Sequence, residues 1–195
     1  MNDDLLGAAK AGDASRLKVL LQDTGCNLLS TDKDGRTALM LAAHCGSSAC
    51  VGLLLAKSDA LARDAGGATA LMLAAFHGDM ACVELLIPVS NVLSKCKGGA
   101  TALMWAAFGG NPSCVERLLH LSDTQVQDSK GTSSLMWAAH QGHVSVVMST
   151  KTLDSTSLNQ QFKDRLLCKI SDVSVRKTSS QLLFDAITMR AKSGQ

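Results

Sequence analysis

The chain has 195 residues, of which 46% are hydrophobic and only 3% aromatic, with two prolines and no tyrosine. Alanine, leucine, methionine and cysteine supply the apolar content, and this composition favours packed helices over strands. The formal net charge of +2 is too small to favour binding to nucleic acid or to an anionic membrane.

The first 30 residues predict an incomplete pair of helices. Asp3 or Asp4 is the expected N-cap of the first helix, because a carboxylate accepts hydrogen bonds from the free backbone N–H groups there. Gly12 is expected to end this helix, since glycine readily adopts the left-handed conformation of a helix stop. A second helix is predicted to follow, carrying Leu17, Val19, Leu20 and Leu21.

The start of the chain lacks the basic and then apolar pattern of a secretory signal peptide. No apolar run approaches the roughly 18 residues that a membrane helix needs. We therefore expect a cytoplasmic protein without membrane association, whose seven cysteines are reduced thiols.

From residue 31 onward, one short stretch recurs at a constant spacing. Its leading glycines are Gly35, Gly67, Gly99 and Gly131, so the step is 32 residues each time. Each copy continues with threonine or serine, then Leu-Met-Leu/Trp-Ala-Ala, then a glycine and a second predicted helix. A constant period of this size indicates an architecture of stacked repeats.

The repeated stretch resembles the ankyrin repeat, which is a turn followed by two antiparallel helices in about 33 residues. The motif of that family reads roughly Gly-x-Thr-Pro-Leu-His-x-Ala-Ala-x-x-Gly. The first full copy matches it at Gly35, Thr37, Leu39, Ala42, Ala43 and Gly46. Alanine or serine replaces the proline, and methionine replaces the histidine, as in the Thr-Ala-Leu-Met arrays of some protist ankyrin repeat proteins. The family histidine hydrogen-bonds a threonine, so apolar packing by methionine must substitute for that bond.

The resemblance implies an all-α ankyrin repeat solenoid with short β-turn or hairpin loops. It covers residues 2–148, with a terminal repeat at 2–30 and further repeats at about 31–62, 63–94, 95–126 and 127–148. Thr37, Thr69 and Thr101 are the expected helix N-caps. Residues 149–195 lose the register, and we expect them to form a divergent helical cap or tail, with weakly helical segments at 158–170 and 180–191.

Three cysteines at one repeat position, Cys50, Cys82 and Cys114, suggest a metal or redox ladder. Stacked repeats place equivalent atoms about a helix diameter apart, ~10 Å, which exceeds the ~7 Å Cα separation that a disulfide tolerates. Val146 occupies the same position in the fourth copy. A small, buried apolar site is therefore the favoured interpretation.

The sequence contains no other convincing catalytic or metal pattern. His44, Cys45 and Cys50 match no paired-cysteine zinc signature. No catalytic triad, phosphate-binding glycine loop or paired carboxylate motif is present. We predict no enzymatic activity, no metal and no cofactor. Core packing is the interpretation for the methionines Met40, Met72, Met104 and Met136 and for Trp105 and Trp137.

In ankyrin arrays the turn tips and the end of the first helix face a concave groove that binds partners. These positions differ between copies of the repeat, whereas the core positions barely change. Phe76 and Phe108 are expected to stand side by side on the groove as aromatic anchors, unless they only pack between first helices. The turn-side cations favour an acidic or mixed-charge partner. Carried over, the groove positions are Lys33, Asp34, Arg36, His44, Cys45, Ala65, Ala68, Phe76, His77, Lys97, Ala100, Phe108, Ser129, Lys130, Thr132, His140 and Gln141.

The resemblance implies a non-enzymatic protein–protein interaction module, a scaffold or adaptor that binds another protein as a monomer. An alternative is a regulatory subunit or inhibitor that acts in trans on an enzyme such as a protein kinase. A third hypothesis is an adaptor box that recruits a ubiquitin ligase through residues 158–190. For that box, Leu166-Leu167-Cys168-Lys169-Ile170 is a faint match to a Leu-Cys-Arg-x-x-Ile pattern, and the rest of the box is absent.

Overall fold

The computed structural model describes residues 2–23, 27–143 and 145–146 of the chain. In that part of the chain the regular elements are short helices with one 3-10 turn, Ile87–Val89. In chain order the helices are α1 (Asn2–Ala11), α2 (Ala14–Leu20), α3 (Ala38–His44), α4 (Ser48–Leu55), α5 (Ala70–His77), α6 (Met80–Leu86), α7 (Ala102–Gly109), α8 (Pro112–Leu119) and α9 (Ser134–Gln141).

The helices form two layers. The odd-numbered helices make the inner layer, in which α5 packs between α3 and α7, and α1 and α9 continue the layer at its two ends. Helices α2, α4, α6 and α8 follow one another in the outer layer, each packed on the inner helix of its own repeat. Each repeat thus contacts its neighbours in sequence, which defines a solenoid. The predicted all-α repeat fold is confirmed.

Small side chains hold the inner layer together. Ala42 and Ala43 of α3 are fully buried, as are Ala74 and Ala75 of α5. Because the distance between packed helices depends on the side chains at their contact, these alanines let successive inner helices approach closely. Three of the four methionines that replace the family histidine are also buried, and Met40, Met72 and Met104 are each 1% exposed.

Threonine hydroxyl groups cap two of the inner helices, as predicted. The Thr37 Oγ1 accepts a hydrogen bond from the Met40 backbone N–H, and the Thr69 Oγ1 accepts one from Met72, both at 3.4 Å. Thr101 occupies the same N-cap position with an extended backbone, but its hydroxyl makes no capping bond to the helix. The prediction of a side-chain cap is therefore wrong for Thr101.

The first helix begins earlier than the sequence predicts. Helix α1 starts at Asn2, so Asp3 and Asp4 lie within its first turn and are not its N-cap. Negative charge there still suits the positive end of the helix dipole. Gly12 ends the helix as expected, with a left-handed φ of +69°.

A tight turn precedes each inner helix from α3 onward, and neighbouring turns are hydrogen-bonded to one another. The Ala65 backbone N–H donates to the Asp34 carbonyl oxygen at 2.9 Å. Equivalent bonds join Lys97 to Gly66 and Ser129 to Gly98. The turns come so close that a Cβ on Gly67, whose φ is +77°, would lie 2.9 Å from the Lys97 backbone nitrogen. This approach explains why glycine leads the first three copies of the repeat, and the left-handed φ of +73° favours glycine at Gly131 in the fourth.

An aspartate organises three of the four turns. The Oδ1 atoms of Asp32, Asp64 and Asp128 each accept backbone N–H groups from two and four residues further on, at 2.8–2.9 Å. Burial alone would raise the pKa of Asp32 and Asp128, but these hydrogen bonds lower it below the usual 3.8. Cys96 takes this position in the third turn, and its sulfur is a weak acceptor.

The aspartate of the fourth turn also binds a tryptophan. The Trp137 Nε1–H donates to Asp128 Oδ2 at 3.0 Å. Trp105 holds the equivalent position one repeat earlier, where the turn carries Cys96. Its Nε1 atom is buried and has no hydrogen-bond acceptor among the described residues. The third repeat therefore keeps the indole donor and has lost the carboxylate acceptor.

We expect Cys96→Asp to raise the free energy of unfolding by about 1–2 kcal/mol, because a carboxylate there would accept two backbone N–H groups and the Trp105 indole. Urea denaturation followed by circular dichroism measures the change. Asp64→Cys is the matched control, and it should destabilise the array by removing an acceptor that is already used. A Cys96→Asp protein less stable than the wild type would contradict this account of the turn.

The last inner helix is less covered than its predecessors. Leu135 and Met136 of α9 are half-buried, whereas the equivalent Leu103 and Met104 of α7 are each 1% exposed. The cap or tail predicted for residues 149–195, with its segments at 158–170 and 180–191, lies outside the described residues. The candidate ubiquitin-ligase box at 166–170 lies outside them as well.

Candidate binding surface

A row of rings crosses the carboxyl-terminal ends of the inner helices. We call it the ring row, and it consists of His44, Phe76, Phe108 and His140, which share one repeat position. The His44 and Phe76 rings are stacked with centroids 6.1 Å apart, and Phe76 and Phe108 are stacked at 5.9 Å. The first three side chains are half-buried and His140 is exposed. The rings of His44, Phe76 and Phe108 therefore form a continuous surface that is partly open to solvent.

Two tryptophans support the ring row from below. Trp105 meets Phe76 edge-on with ring centroids 5.9 Å apart, and Trp137 meets Phe108 in the same way at 5.0 Å. Both tryptophans are half-buried rather than fully in the core. Edge-to-face contacts of this kind add to the energy of plain burial. In the sequence these two tryptophans stand out, because the earlier copies carry leucine at the same repeat position, as Leu41 and Leu73.

The backbone beneath the phenylalanines is held by the following repeat. The Asn111 Nδ2 group donates to the Ala75 carbonyl oxygen at 3.0 Å and to that of Phe76 at 2.8 Å. The His143 Nε2 atom hydrogen-bonds the Phe108 carbonyl oxygen at 3.0 Å. Carbonyl groups at a helix end lack partners within the helix, so these side chains satisfy them and fix the position of each phenylalanine.

His44 is an uncharged member of the ring row at neutral pH. Burial, followed by electrostatic interaction with Arg36 and His77, lowers the pKa of His44 below its usual 6.5. Its Nδ1 atom is buried and has no hydrogen-bond partner among the described residues. A neutral imidazole beside Phe76 extends the apolar character of the surface.

The turn tips carry charges of two kinds. Lys33, Lys97 and Lys130 are exposed. Arg36, in contrast, is held by two carboxylates: its Nη2 atom lies 2.8 Å from Asp32 Oδ2 and 2.9 Å from Asp34 Oδ2. Its charge is therefore compensated within the first turn. This corrects the expectation that Arg36 adds to the positive charge offered to a partner.

Two predicted groove residues do not reach the surface. Ala68 and Ala100 are each 3% exposed, since they directly precede the N-cap threonines and lie on the inner side of their turns. The expectation that their side chains line the groove is therefore wrong. The remaining predicted positions are at least partly accessible: Asp34, Ala65, His77, Ser129 and Gln141 are exposed, and Cys45 and Thr132 are half-buried.

The sequence interpretation missed Lys10 at the amino-terminal end of the surface. An open recess between α1 and the first turn is lined by Leu6, Lys10, Lys33, Arg36 and Leu41, among others. The segment Gly7–Gly12 reads Gly-Ala-Ala-Lys-Ala-Gly and aligns with Leu-Ala-Ala-His-Cys-Gly at 41–46. In this alignment Lys10 has the same repeat position as His44. The step between these two copies is 34 residues rather than 32, and this conceals the match.

The cysteine ladder is buried. Cys50, Cys82 and Cys114 have no exposed surface. Burial, with a further contribution from Asp79, raises the pKa of Cys82 to about 12 and that of Cys114 to about 11. Within the described ranges, no three histidine, cysteine or carboxylate side chains come together as metal ligands. The ladder is part of the core in this structure.

We expect Cys82 and Cys114 to resist alkylation in the folded protein, because their thiols are buried and protonated at pH 8. Iodoacetamide labelling followed by peptide mass spectrometry should modify the half-buried Cys45 at least about tenfold faster than either of them. The same reagent in urea should label all three cysteines equally and serves as the control. Rapid labelling of Cys82 in the native protein would show that the inner and outer layers separate readily.

The structure is a solenoid of turn–helix–helix units that presents an extended surface across its inner helices and turns. The family model for ankyrin repeats matches residues 5–95 and 78–149, and the chain belongs to the ankyrin repeat family. Ankyrin repeats are generally protein–protein interaction modules, and the family is typically non-enzymatic. A search of curated protein sequences finds no significant match. Across the described residues, every helix is too short or too polar to span a membrane.

Proposed function

We propose that this ankyrin array acts as a scaffold or adaptor that binds a partner protein through the ring row and the exposed turn tips. The observation that carries the proposal is the contrast between the two sides of each inner helix. The Leu-Met-x-Ala-Ala residues repeat almost without change and are buried in α3, α5 and α7, whereas the ring position carries histidine in two copies and phenylalanine in two and is accessible.

The phenylalanine side chains are already in place before a partner arrives. Phe76 is held between His44 and Phe108, and Trp105 supports it edge-on. A surface whose side chains are ordered in advance loses little conformational entropy on binding. Aromatic residues in such positions often dominate binding energy, at about 2 kcal/mol or more each.

The lysines at the turn tips favour a partner strip with acidic residues. Lys33, Lys97 and Lys130 stand exposed along one side of the surface, and Lys10 lies at its amino-terminal end. Complementary charge at the rim of an interface accelerates association and fixes its register. The proposed partner therefore presents apolar side chains to the ring row and carboxylates to the turns.

We expect the double variant Phe76→Ala with Phe108→Ala to lower recovery of the partner at least about tenfold, because both anchors are lost. Affinity purification of the tagged full chain with quantitative mass spectrometry gives the measurement. The rings also contact one another and the tryptophans, so this variant should lose about 1–3 kcal/mol of stability. A second double variant, Phe76→His with Phe108→His, introduces histidine, which the array itself carries at this repeat position as His44 and His140.

Glu116→Ala, at an exposed position on α8, is the matched control and should leave recovery unchanged. Wild-type amounts of the same partners with both phenylalanine variants would contradict the assignment of the surface. A kinase or other enzyme among the captured partners, with its activity altered by the purified array, would instead indicate a regulatory subunit. Partners that disappear only when residues 149–195 are deleted would indicate an adaptor role for that segment.

A further inference from the structure

A second recurring feature lies outside the ring row. Leu29, Leu61 and Leu93 occupy one repeat position, 32 residues apart, in the segment that leads from each outer helix to the next turn. They are 81%, 57% and 56% exposed. We call these three residues the leucine ladder. Leucine at this exposure is ordinary when single, but an aligned row of three on successive repeats forms an apolar strip.

The same hydrogen bond holds every rung in place. A side-chain oxygen two residues earlier accepts the backbone N–H of the ladder residue, at 3.0 Å from Asn27 to Leu29 and at 2.8 Å from Asp59 to Leu61. The bond recurs from Asn91 to Leu93 at 3.0 Å and from Asp123 to Gln125 at 2.9 Å. The leucines are thus presented by a repeated local structure, and Gln125 is the polar residue on the fourth rung.

A basic row runs beside the ladder. Arg63 and Lys95 stand two residues after Leu61 and Leu93 and are exposed, while Ala62 and Ser94 between them are half-buried. Leu61 and Leu93 each lie in a tight turn, closed by a hydrogen bond from the Ala62 N–H to the Asp59 carbonyl oxygen at 3.3 Å and from the Ser94 N–H to the Asn91 carbonyl oxygen at 3.0 Å. Each cation follows directly after its turn. The Arg63 Nη1 atom donates to the Lys95 carbonyl oxygen at 2.7 Å, so its positive charge is not neutralised by that contact.

The spacing of the leucines and the charges of Arg63 and Lys95 together indicate what kind of partner the leucine ladder binds. Packed helices of successive repeats are about 10 Å apart, and an α-helix rises about 10.5 Å over seven residues. We propose that the leucine ladder and its basic row bind an amphipathic α-helix of a partner protein, laid along the array. This helix has apolar residues at a heptad spacing and acidic residues along the edge that faces Arg63 and Lys95.

The chain's own carboxyl-terminal region is a poor match to this description. Residues 147–195 contain eight Lys and Arg residues against four Asp residues, which is a net charge of +4. Repulsion from Arg63 and Lys95 disfavours its docking on the ladder. The acidic edge required of the helix therefore points to another protein.

The probe is a fluorescein-labelled peptide of three heptads with leucine at one heptad position, glutamates along one edge and lysines along the other. Fluorescence anisotropy with the full chain should show saturable binding, and a peptide of the same composition with irregular leucine spacing should bind at least about tenfold more weakly. Leu29→Ser, Leu61→Ser and Leu93→Ser in one chain should also weaken binding at least about tenfold. Because all three leucines are exposed, unchanged circular dichroism is expected for this variant.

Two further variants test the charge and the spacing separately. Arg63→Glu with Lys95→Glu should reduce affinity for the peptide at least about fivefold, and a peptide with its two charged edges exchanged should recover it. Gln125→Leu adds a fourth rung and should tighten binding of a peptide one heptad longer by about three- to tenfold.

Equal binding of the heptad and the irregular peptide, or no effect of the triple serine change, would overturn the proposal. Concentration-dependent self-association of the full chain that the serine changes abolish would also overturn it, by showing that a second copy occupies the ladder. The Phe76→His and Phe108→His variant should bind the peptide normally. A loss there would place the peptide on the ring row, so failure of this inference is distinguishable from failure of the proposed function.

Discussion

The close approach of successive inner helices is the constraint on which the rest of the structure depends. Ala42 and Ala43 of α3 and their equivalents in α5 and α7 are fully buried, and their small side chains let the helix backbones approach closely. That approach brings the turns within hydrogen-bonding distance, as the 2.9 Å bond from Ala65 to Asp34 shows. It also brings neighbouring rings within about 6 Å of each other, a range in which aromatic side chains interact favourably. The ring row, the row of turns and the leucine ladder are consequences of one spacing.

Within this spacing, the turns share one local structure but hold its aspartate with different side chains. The first carboxylate oxygen of Asp32 and of Asp128 accepts two backbone N–H groups, while the second oxygen is bound by Arg36 in the first turn and by Trp137 in the fourth. The third turn departs from this arrangement, because Cys96 stands where the acceptor is needed and Trp105 keeps its donor. A solenoid tolerates such a loss, since the backbone bonds to the neighbouring turns remain.

The 32-residue period was sufficient to predict the helices, the buried alanine pairs and the burial of Met40, because every copy of the repeat meets the same neighbours. It was not sufficient to distinguish exposed positions from buried ones among those that differ between copies of the repeat. Arg36, Ala68, Ala100 and Thr132 differ at one position, and this suggested a surface site. Alanine is small enough to stay beneath the turn, whereas arginine extends outward to its carboxylates. The leucine ladder was missed for the opposite reason, since recurring leucine usually indicates burial.

The two exposed rows differ in how they could encode specificity. In the leucine ladder, one residue type recurs at one position, so its apolar rungs favour a partner that is itself periodic along the array axis. The ring row follows no such single residue type: Lys10 precedes it at the amino-terminal end, and its members are histidine, two phenylalanines and histidine. The tip lysines also shift by one position between the third and fourth turns. A partner that slides by one repeat would keep its contacts with a periodic row but lose them with an irregular one. The ring row is therefore the part of this array that can fix the register of a bound protein. The leucine ladder is the part that can strengthen binding without fixing the register.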